Sequence, residues 1–257
     1  MLECILKNIK QHSQWDSLTL YKMTNKNFNL DVKIRPFVVE DTKAVLQIVA
    51  DTAFFGEPVE NFLEDRHLFC DVFYRYYTTF QSKNCWVAMS NQNIVGFLAG
   101  CLETKTQVRR WVYSILPTVL KKMAQNKYRI GPLTWRYLFG LIRMQFMEES
   151  HGVDLSVYPA HLHINVETNW RGRGIGEKLL KRYIEQLSQE HISGVHLNTT
   201  DQNRSACRLY DRMGFQLLAS KSTRLWSHLI ALPVERRCYG LRLANPEIYS
   251  ETKISQS

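Results

Sequence analysis

The chain has 257 residues, 45% of them hydrophobic, which is material for one large domain or two small ones and for a sizeable core. Lys and Arg number 33 against 24 Asp and Glu, a formal charge of +9, which suits an anionic ligand, an acidic partner or nucleic acid without choosing among them. The six cysteines, at 4, 70, 85, 101, 207 and 238, form no CxxC pair; this argues against a zinc or disulfide framework and for reduced, buried thiols in a cytoplasmic compartment.

Residues 1–30 are polar and rich in Asn and Lys, with a weak apolar stripe at Leu2, Ile5, Leu6 and Ile9. They read as an N-terminal extension holding a short helix, and without a long apolar stretch they do not read as a secretory signal. Residues 31–37 (DVKIRPF) suit a strand. Asp41 then opens a helix in which Ala44, Val45, Ile48 and Val49 recur at helical spacing. Residues 60–80 predict a second, aromatic-rich helix, and 84–90 with 93–103 predict an antiparallel hairpin about Asn91-Gln92.

An interruption follows, about 104–158, with nine basic side chains against three acidic ones, and with Trp111, Tyr113, Trp135, Tyr137, Phe139 and Phe146 among its aromatics. It predicts two or three amphipathic helices, broken near Pro117 and at Gly131-Pro132. Its most apolar run, WVYSILPTVL (111–120), falls short of the ~18 residues a membrane span needs. No span is expected anywhere in the chain.

AHLHINVE (160–167) alternates, with Leu162, Ile164 and Val166 on one face and His161, His163 and Asn165 on the other. A helix after Gly176 buries Leu179, Leu180, Tyr183, Ile184 and Leu187 and wets Lys178, Lys181, Arg182 and Glu185. Strands at 194–200, 215–220 and 235–243, a helix from about 203 to 213 stopped by Gly214, and a tail at 244–257 complete the reading. The order implies a mixed α/β domain over 31–243 built on one central sheet.

The segment NWRGRGIGEKLL (169–180) sets three glycines between a strand and a helix. The first turn of a helix leaves about four N–H groups unpaired, and the aligned peptide dipoles make that end positive. Residues 171–176 contain no Ser, Thr, Asp or Asn to cap it, which leaves room for a ligand oxygen to act as acceptor. A dinucleotide fingerprint fails because the third glycine falls one residue early, and a Walker loop is not present. A tight turn with no ligand is the plain alternative. Some 25 residues on, Asn203, Ala206, Tyr210 and Met213 recur at helical spacing, which puts Asn203 and Tyr210 on one face about 10 Å apart along the axis.

The pair RGRGIG (171–176) and N-x-x-A-x-x-x-Y-x-x-x-GF (203–215) resembles the GNAT superfamily of acyl-CoA-dependent N-acetyltransferases, whose Q/R-x-x-G-x-G/A signature is matched by Arg171, Gly174 and Gly176. The stretch YPAHLHINVETNWRGRGIG also looks like the subgroup related to acetyltransferase-like domains attached to O-linked N-acetylglucosamine hydrolases. The resemblance is close over 158–216 and looser over 32–103. It implies a GNAT-like mixed sheet flanked by helices, with the helical insert between central strands.

That resemblance implies acetyl-CoA as cosubstrate, and no metal is expected, since no third ligand is spaced to join His161 and His163. Its pyrophosphate would sit on the backbone of Arg171, Gly172, Arg173, Gly174, Ile175, Gly176 and Glu177. Its pantetheine arm would pair with Ile164, Asn165 and Val166, where the strands at 160–167 and 194–200 splay, and would be held by Asn203. An amine attacks the thioester directly, the Val166 N–H receives the oxyanion, and Tyr210 matches the family's general acid. Cys207 points away from that face and reads as core. The base is open: the family often has a carboxylate near 198, where this chain has Asn198. His161 and His163 titrate near neutrality and are candidates, as is His196, against the plain reading of hydrogen-bonded structural histidines.

The acceptor would be an amine-bearing small molecule or peptide. The basic insert suggests an anionic acceptor, docking on a membrane surface, or simply a wet helical face. Nucleic acid is not expected, since no recognition motif accompanies the charge. A non-catalytic acyl-CoA-binding or partner-binding module with the same fold is the alternative function.

Overall fold

A computed structural model of the chain describes residues 31–146, 152–231 and 233–243. The chain divides into two units after Asp31, and all of the secondary structure described lies in the second. The expected N-terminal extension (1–30) and tail (244–257) fall outside the described residues.

Seven strands form one sheet: β1 (Lys33–Pro36), β2 (Cys85–Ser90), β3 (Asn93–Cys101), β4 (Ala160–Val166), β5 (Gly194–Thr200), β6 (Gln216–Thr223) and β7 (Val234–Arg242). Their spatial order is β1-β2-β3-β4-β5-β7-β6. Every neighbouring pair is antiparallel except β4 with β5. The β2–β3 hairpin turns on Asn91 and Gln92, both at positive φ (47° and 68°), the twist that two-residue hairpin turns favour.

Helices cover both faces. On one, α1 (Thr42–Asp51), α2 (Arg66–Phe73) and α3 (Arg75–Phe80) bury Val45, Val49, Phe69, Tyr76 and Tyr77 against Phe97, Ala99 and Cys101 of β3. The single helix expected over 60–80 is divided at Tyr74, whose hydroxyl donates 2.9 Å to Asn165 Oδ1 on β4. That long-range bond has no local signature. On the other face, α7 (Ile175–Gln189) and α8 (Arg204–Arg212) bury Leu179, Leu180, Tyr183, Leu187 and Tyr210 against Leu98, Leu162, Val195 and Leu197. Gly100 lets the two layers close: a Cβ there would lie 2.3 Å from the Tyr183 ring. The Tyr183 hydroxyl donates to the carbonyl of Cys101 at 3.1 Å.

The insert packs on the first layer. Its first helix, α4 (Thr104–Arg110), does not break near Pro117. It runs through a wider π turn (Trp111–Ile115) into α5 (Leu116–Ala124), with Pro117 in the first turn of α5. The wider spacing accommodates a residue with no N–H to donate. Pro132 opens α6 (Pro132–Phe146) as expected. The Glu64 carboxylate caps it, accepting from the Leu133 and Thr134 N–H groups at 2.7 and 2.8 Å. Asp71 of α2, almost fully buried, accepts from Tyr128 Oη at 2.6 Å and pairs with Lys122 and Arg75. Burial alone would raise its pKa, but these hydrogen bonds outweigh that and hold the carboxyl below its usual value.

Candidate active site

The parallel pair β4–β5 stays together only at Ala160–Val195 and His161–His196, and from Leu162 onward the two strands part. Glu167 N–H donates to Val95 O on β3 at 3.0 Å. Because backbone groups alternate along an antiparallel ladder, those of 163 and 165 also face β3, and those of Ile164 and Val166 face the gap. An extended ligand therefore finds an unpaired strand edge there. The side chain of Asn165 is occupied: its amide donates to Thr52 Oγ1 at 2.9 Å and accepts from Tyr74. Its backbone faces β3, and the residue lines the cleft beside that strand edge.

The three glycines have distinct roles. Gly172 (φ +75°) and Gly174 (φ +74°) hold left-handed backbone, and a Cβ at either would meet open space. Gly176 is a packing glycine, its Cβ position 3.0 Å from Leu209 of α8. Gly174 is the N-cap of α7 with no side-chain cap bond, and the first helical return is Lys178 N–H to Gly174 O at 3.1 Å. The N–H groups of Ile175, Gly176 and Glu177 thus have no partner within the helix. They open onto a cavity of about 330 Å³ whose rim carries Arg171, Arg208 and Arg212. Arg171 reaches back along it: Nε donates to Val166 O at 3.1 Å, and the guanidinium lies against Gly56, where a Cβ would be 2.2 Å from Nη1. Arg173, expected beside the anion, stacks on Trp170 with 4.9 Å to the ring centroid and is not part of the cavity lining.

A second cavity of about 200 Å³ continues from the first, and Asn203 and Tyr210 line both. Asn203 is the N-cap of α8, its Oδ1 accepting from Ala206 N–H at 3.3 Å, so it ends the helix rather than lying within it. Tyr210 is 4% exposed, and burial raises its pKa, so the hydroxyl keeps its proton throughout the working range. Its ring packs on Phe215 and Tyr239. Cys207 beside it is buried, its thiol directed to Thr200 O, consistent with a core role.

The histidines separate. Thr104 Oγ1 gives its one proton to Pro159 O, so it accepts from His161 Nδ1 at 2.8 Å, which leaves Nε2 to accept from Tyr77 at 2.6 Å. Both ring nitrogens of His161 are used, the residue is buried, and desolvation pushes its pKa well down. His161 is therefore a structural histidine and is withdrawn as a base. His196 is also buried, with Nδ1 on Tyr158 O at 3.0 Å. His163 does reach the second cavity, where its side chain is exposed beside the Tyr74 and Tyr77 rings. Desolvation, with a smaller contribution from His196, pushes it down to about 4. At neutral pH it is uncharged, able to accept a hydrogen bond but weak as a base.

Thr52, Phe55, Gly56, Trp170, Arg208 and Arg212 line the site without having been singled out in the sequence. The φ values of Phe55 (+52°) and Gly56 (+102°) mark a tight turn over the cleft. Arg204, Arg208 and Arg212 do recur at i, i+4, i+8 on the motif helix, a signal available in the sequence.

Comparison with known proteins gives a consistent result. The acetyltransferase (GNAT) family model matches residues 138–215. The chain is 26% identical over 106 residues to N-acetylaspartate synthetase of Danio rerio, covering 41% of this chain and 36% of that one. It is 40% identical over 50 residues to N-alpha-acetyltransferase 30 of Saccharomyces cerevisiae, covering 20% and 28%. The chain thus spans about a third of the length of these curated relatives. Among solved structures, that of SsHAT superposes with a TM-score of 0.63 at 25% identity, over 83% of this chain and 98% of that one.

Proposed function

This chain is a member of the GNAT superfamily of acetyltransferases, and we propose that it transfers an acetyl group from acetyl-CoA to an amine by direct attack, with both substrates bound together. The observation that carries this is the position of Tyr210, at the junction between a cavity headed by unpaired helix amides and a second one large enough for a small acceptor. The residues fit the nucleotide half of acetyl-CoA. Backbone N–H groups of Gly172 to Glu177 suit the pyrophosphate, with Arg171, Arg208 and Arg212 adding charge. Ile164 and Val166 offer an edge to the amides of the arm.

Acetyl-CoA, as substrate, brings the thioester. The Val166 N–H donates to the carbonyl oxygen as negative charge gathers there. The amine nitrogen bonds to the carbonyl carbon and the C–S bond breaks. Tyr210 Oη–H protonates the departing thiolate, whose reference pKa near 8.5 makes it the easier group to expel once neutralised. The nitrogen's surplus proton passes to solvent and solvent returns one to the Tyr210 oxygen, so free amine and thioester give amide and thiol with no net proton consumed. Holding both reactants in adjoining cavities supplies much of the acceleration.

The lack of Asp or Glu among the described residues lining the second cavity, with Asn198 at its wall, favours one other reading: a binding module that holds acyl-CoA without turnover. Thiol release from acetyl-CoA across an amine panel separates the two. Amine-dependent release that Tyr210→Phe suppresses supports the transferase. Tight coenzyme A binding with no release for any amine supports the module.

A further inference from the structure

Among the described residues, those lining the acceptor half of the site carry no formal charge. The described residues lining the 200 Å³ cavity include the hydroxyls and amides of Thr52, Asn198 and Thr200, the rings of Phe54, Tyr74 and Trp226, and His163, with no Asp, Glu, Lys or Arg. Three of the insert's cations are engaged elsewhere, Lys122 on Asp71, Arg129 on the Glu64 carbonyl and Arg110 over the Phe80 ring, and none of the nine lines this cavity. The anionic acceptor expected from the insert's charge is therefore not met by any cation in the cavity. A second charge on the acceptor, of either sign, would lose its water there without gaining a partner.

Resting on the transferase reading, we infer that the acceptor carries a single ionisable group, the nitrogen that is acetylated, on a small neutral body that hydrogen-bonds: an amino alcohol, an amino sugar or an amino-acid amide, and neither a free amino acid nor a polyamine. The same cavity accounts for the missing carboxylate base. With no anion among its described lining residues, the cavity gives the ammonium ion no partner and so favours the free amine; the proton leaves to water as the acceptor enters. His163 then accepts a hydrogen bond from the bound amine.

The test uses three acceptors of one length: 5-aminopentanol, 5-aminopentanoate and 1,5-diaminopentane. The alcohol should show at least about a tenfold higher kcat/KM than either charged partner, a discrimination of the size that one unpaired buried charge produces. Equal or better use of the acid or the diamine overturns the inference while leaving the transferase reading intact. Acetylation of none of these or other amines by protein that binds acetyl-CoA overturns both. Asn198→Asp places an anion in the wall and should raise the diamine-to-alcohol ratio about tenfold. An unchanged ratio, in a variant that melts like the wild type, also overturns the inference.

A different surface carries a second inference. Residues 104–146 contain nine Lys and Arg and no Asp or Glu. The helices there bury Ile115, Val119 and Tyr137, yet expose Val108, Val112, Tyr113 and Leu120 on α4–α5 and Trp135, Phe139 and Ile142 on α6. Tyr113 is 76% exposed and Phe139 65%. Exposed Lys105, Arg109, Lys121, Arg136 and Arg143 are interleaved with them.

We propose that the insert docks on the surface of an anionic bilayer, which supplies negative headgroups for the cations and an acyl boundary for the rings. The 257-residue protein should sediment with phosphatidylcholine vesicles containing phosphatidylserine and much less with phosphatidylcholine alone. Raising salt should release it. Trp135→Ser with Phe139→Ser should cut vesicle binding at least about fivefold and leave thiol release with a soluble amine unchanged. Absence of sedimentation, equal binding to uncharged vesicles, or binding to soluble poly-glutamate in place of vesicles overturns the proposal. So does a dimer that the double variant splits into monomers with no vesicle binding in either form.

Discussion

Replacing Tyr210 with Phe removes one oxygen at the junction of the two cavities and leaves the ring on Phe215 and Tyr239. A positioned general acid is worth roughly a hundred- to ten-thousandfold. The thiolate is already a fair leaving group, so the effect belongs at the lower end, about a hundredfold in kcat, or about 2.7 kcal/mol. The ring's packing is retained, so the melting temperature and coenzyme A affinity should scarcely move. The assay is thiol release at saturating amine, paired with calorimetric titration of coenzyme A. The effect should also persist across pH, because burial raises the Tyr210 pKa and keeps the hydroxyl protonated. A Tyr210→Phe enzyme retaining more than about half its kcat would refute this role, since no general-acid contribution is that small. A matched loss of coenzyme A binding would refute it in another way, by making the hydroxyl a binding group.

Three other outcomes follow from the same geometry. Gly56→Ala puts a Cβ 2.2 Å from Arg171 Nη1, at a backbone φ of +102°; acetyl-CoA KM should rise about tenfold or more, and an unchanged KM would mean that the turn does not set the position of Arg171. The pH profile should lack a step near 6.5, because His163 is pushed down to about 4 and is already neutral there. Below the acceptor's own pKa, log kcat/KM should instead climb with a slope near one as free amine accumulates; a step near 6.5 that His163→Gln removes would restore that histidine as the base. Asp71→Asn should cost about 1–3 kcal/mol at pH 7, measured by denaturant titration, because charged hydrogen bonds to α3 and the insert are lost. The folded carboxyl sits below its unfolded pKa near 4, so its contribution is present above that value and disappears as the pH falls through the folded one. The variant and wild type should converge in acid, and a constant difference down to low pH would contradict the assignment.

What the sequence made legible was mostly local. The glycine turn at the head of α7, its missing side-chain cap and the buried stripe Leu179, Leu180, Tyr183 and Leu187 are consequences of spacing within twenty residues, and the structure has them as expected, with Ile184 only partly buried. So has the Asn91-Gln92 turn. The features that were not legible depend on partners far apart in the chain. Nothing near His161 shows that Tyr77 and Thr104 take both its nitrogens. Tyr74 divides a continuous aromatic run through a hydrogen bond to a residue 91 positions away. The charge of the insert was visible, but its direction was not: Lys122 turns inward to Asp71, and no insert cation lines the acceptor cavity.

A crystal structure with coenzyme A tests most directly whether unpaired amides at the mouth of α7 grip a pyrophosphate and so aim a thioester at Tyr210. Phosphate oxygens should lie within hydrogen-bond distance of the N–H groups between Gly172 and Glu177, and the sulfur in the gap between β4 and β5 beside Tyr210. Coenzyme A bound elsewhere, or bound here with its phosphates turned away from those amides, would contradict it.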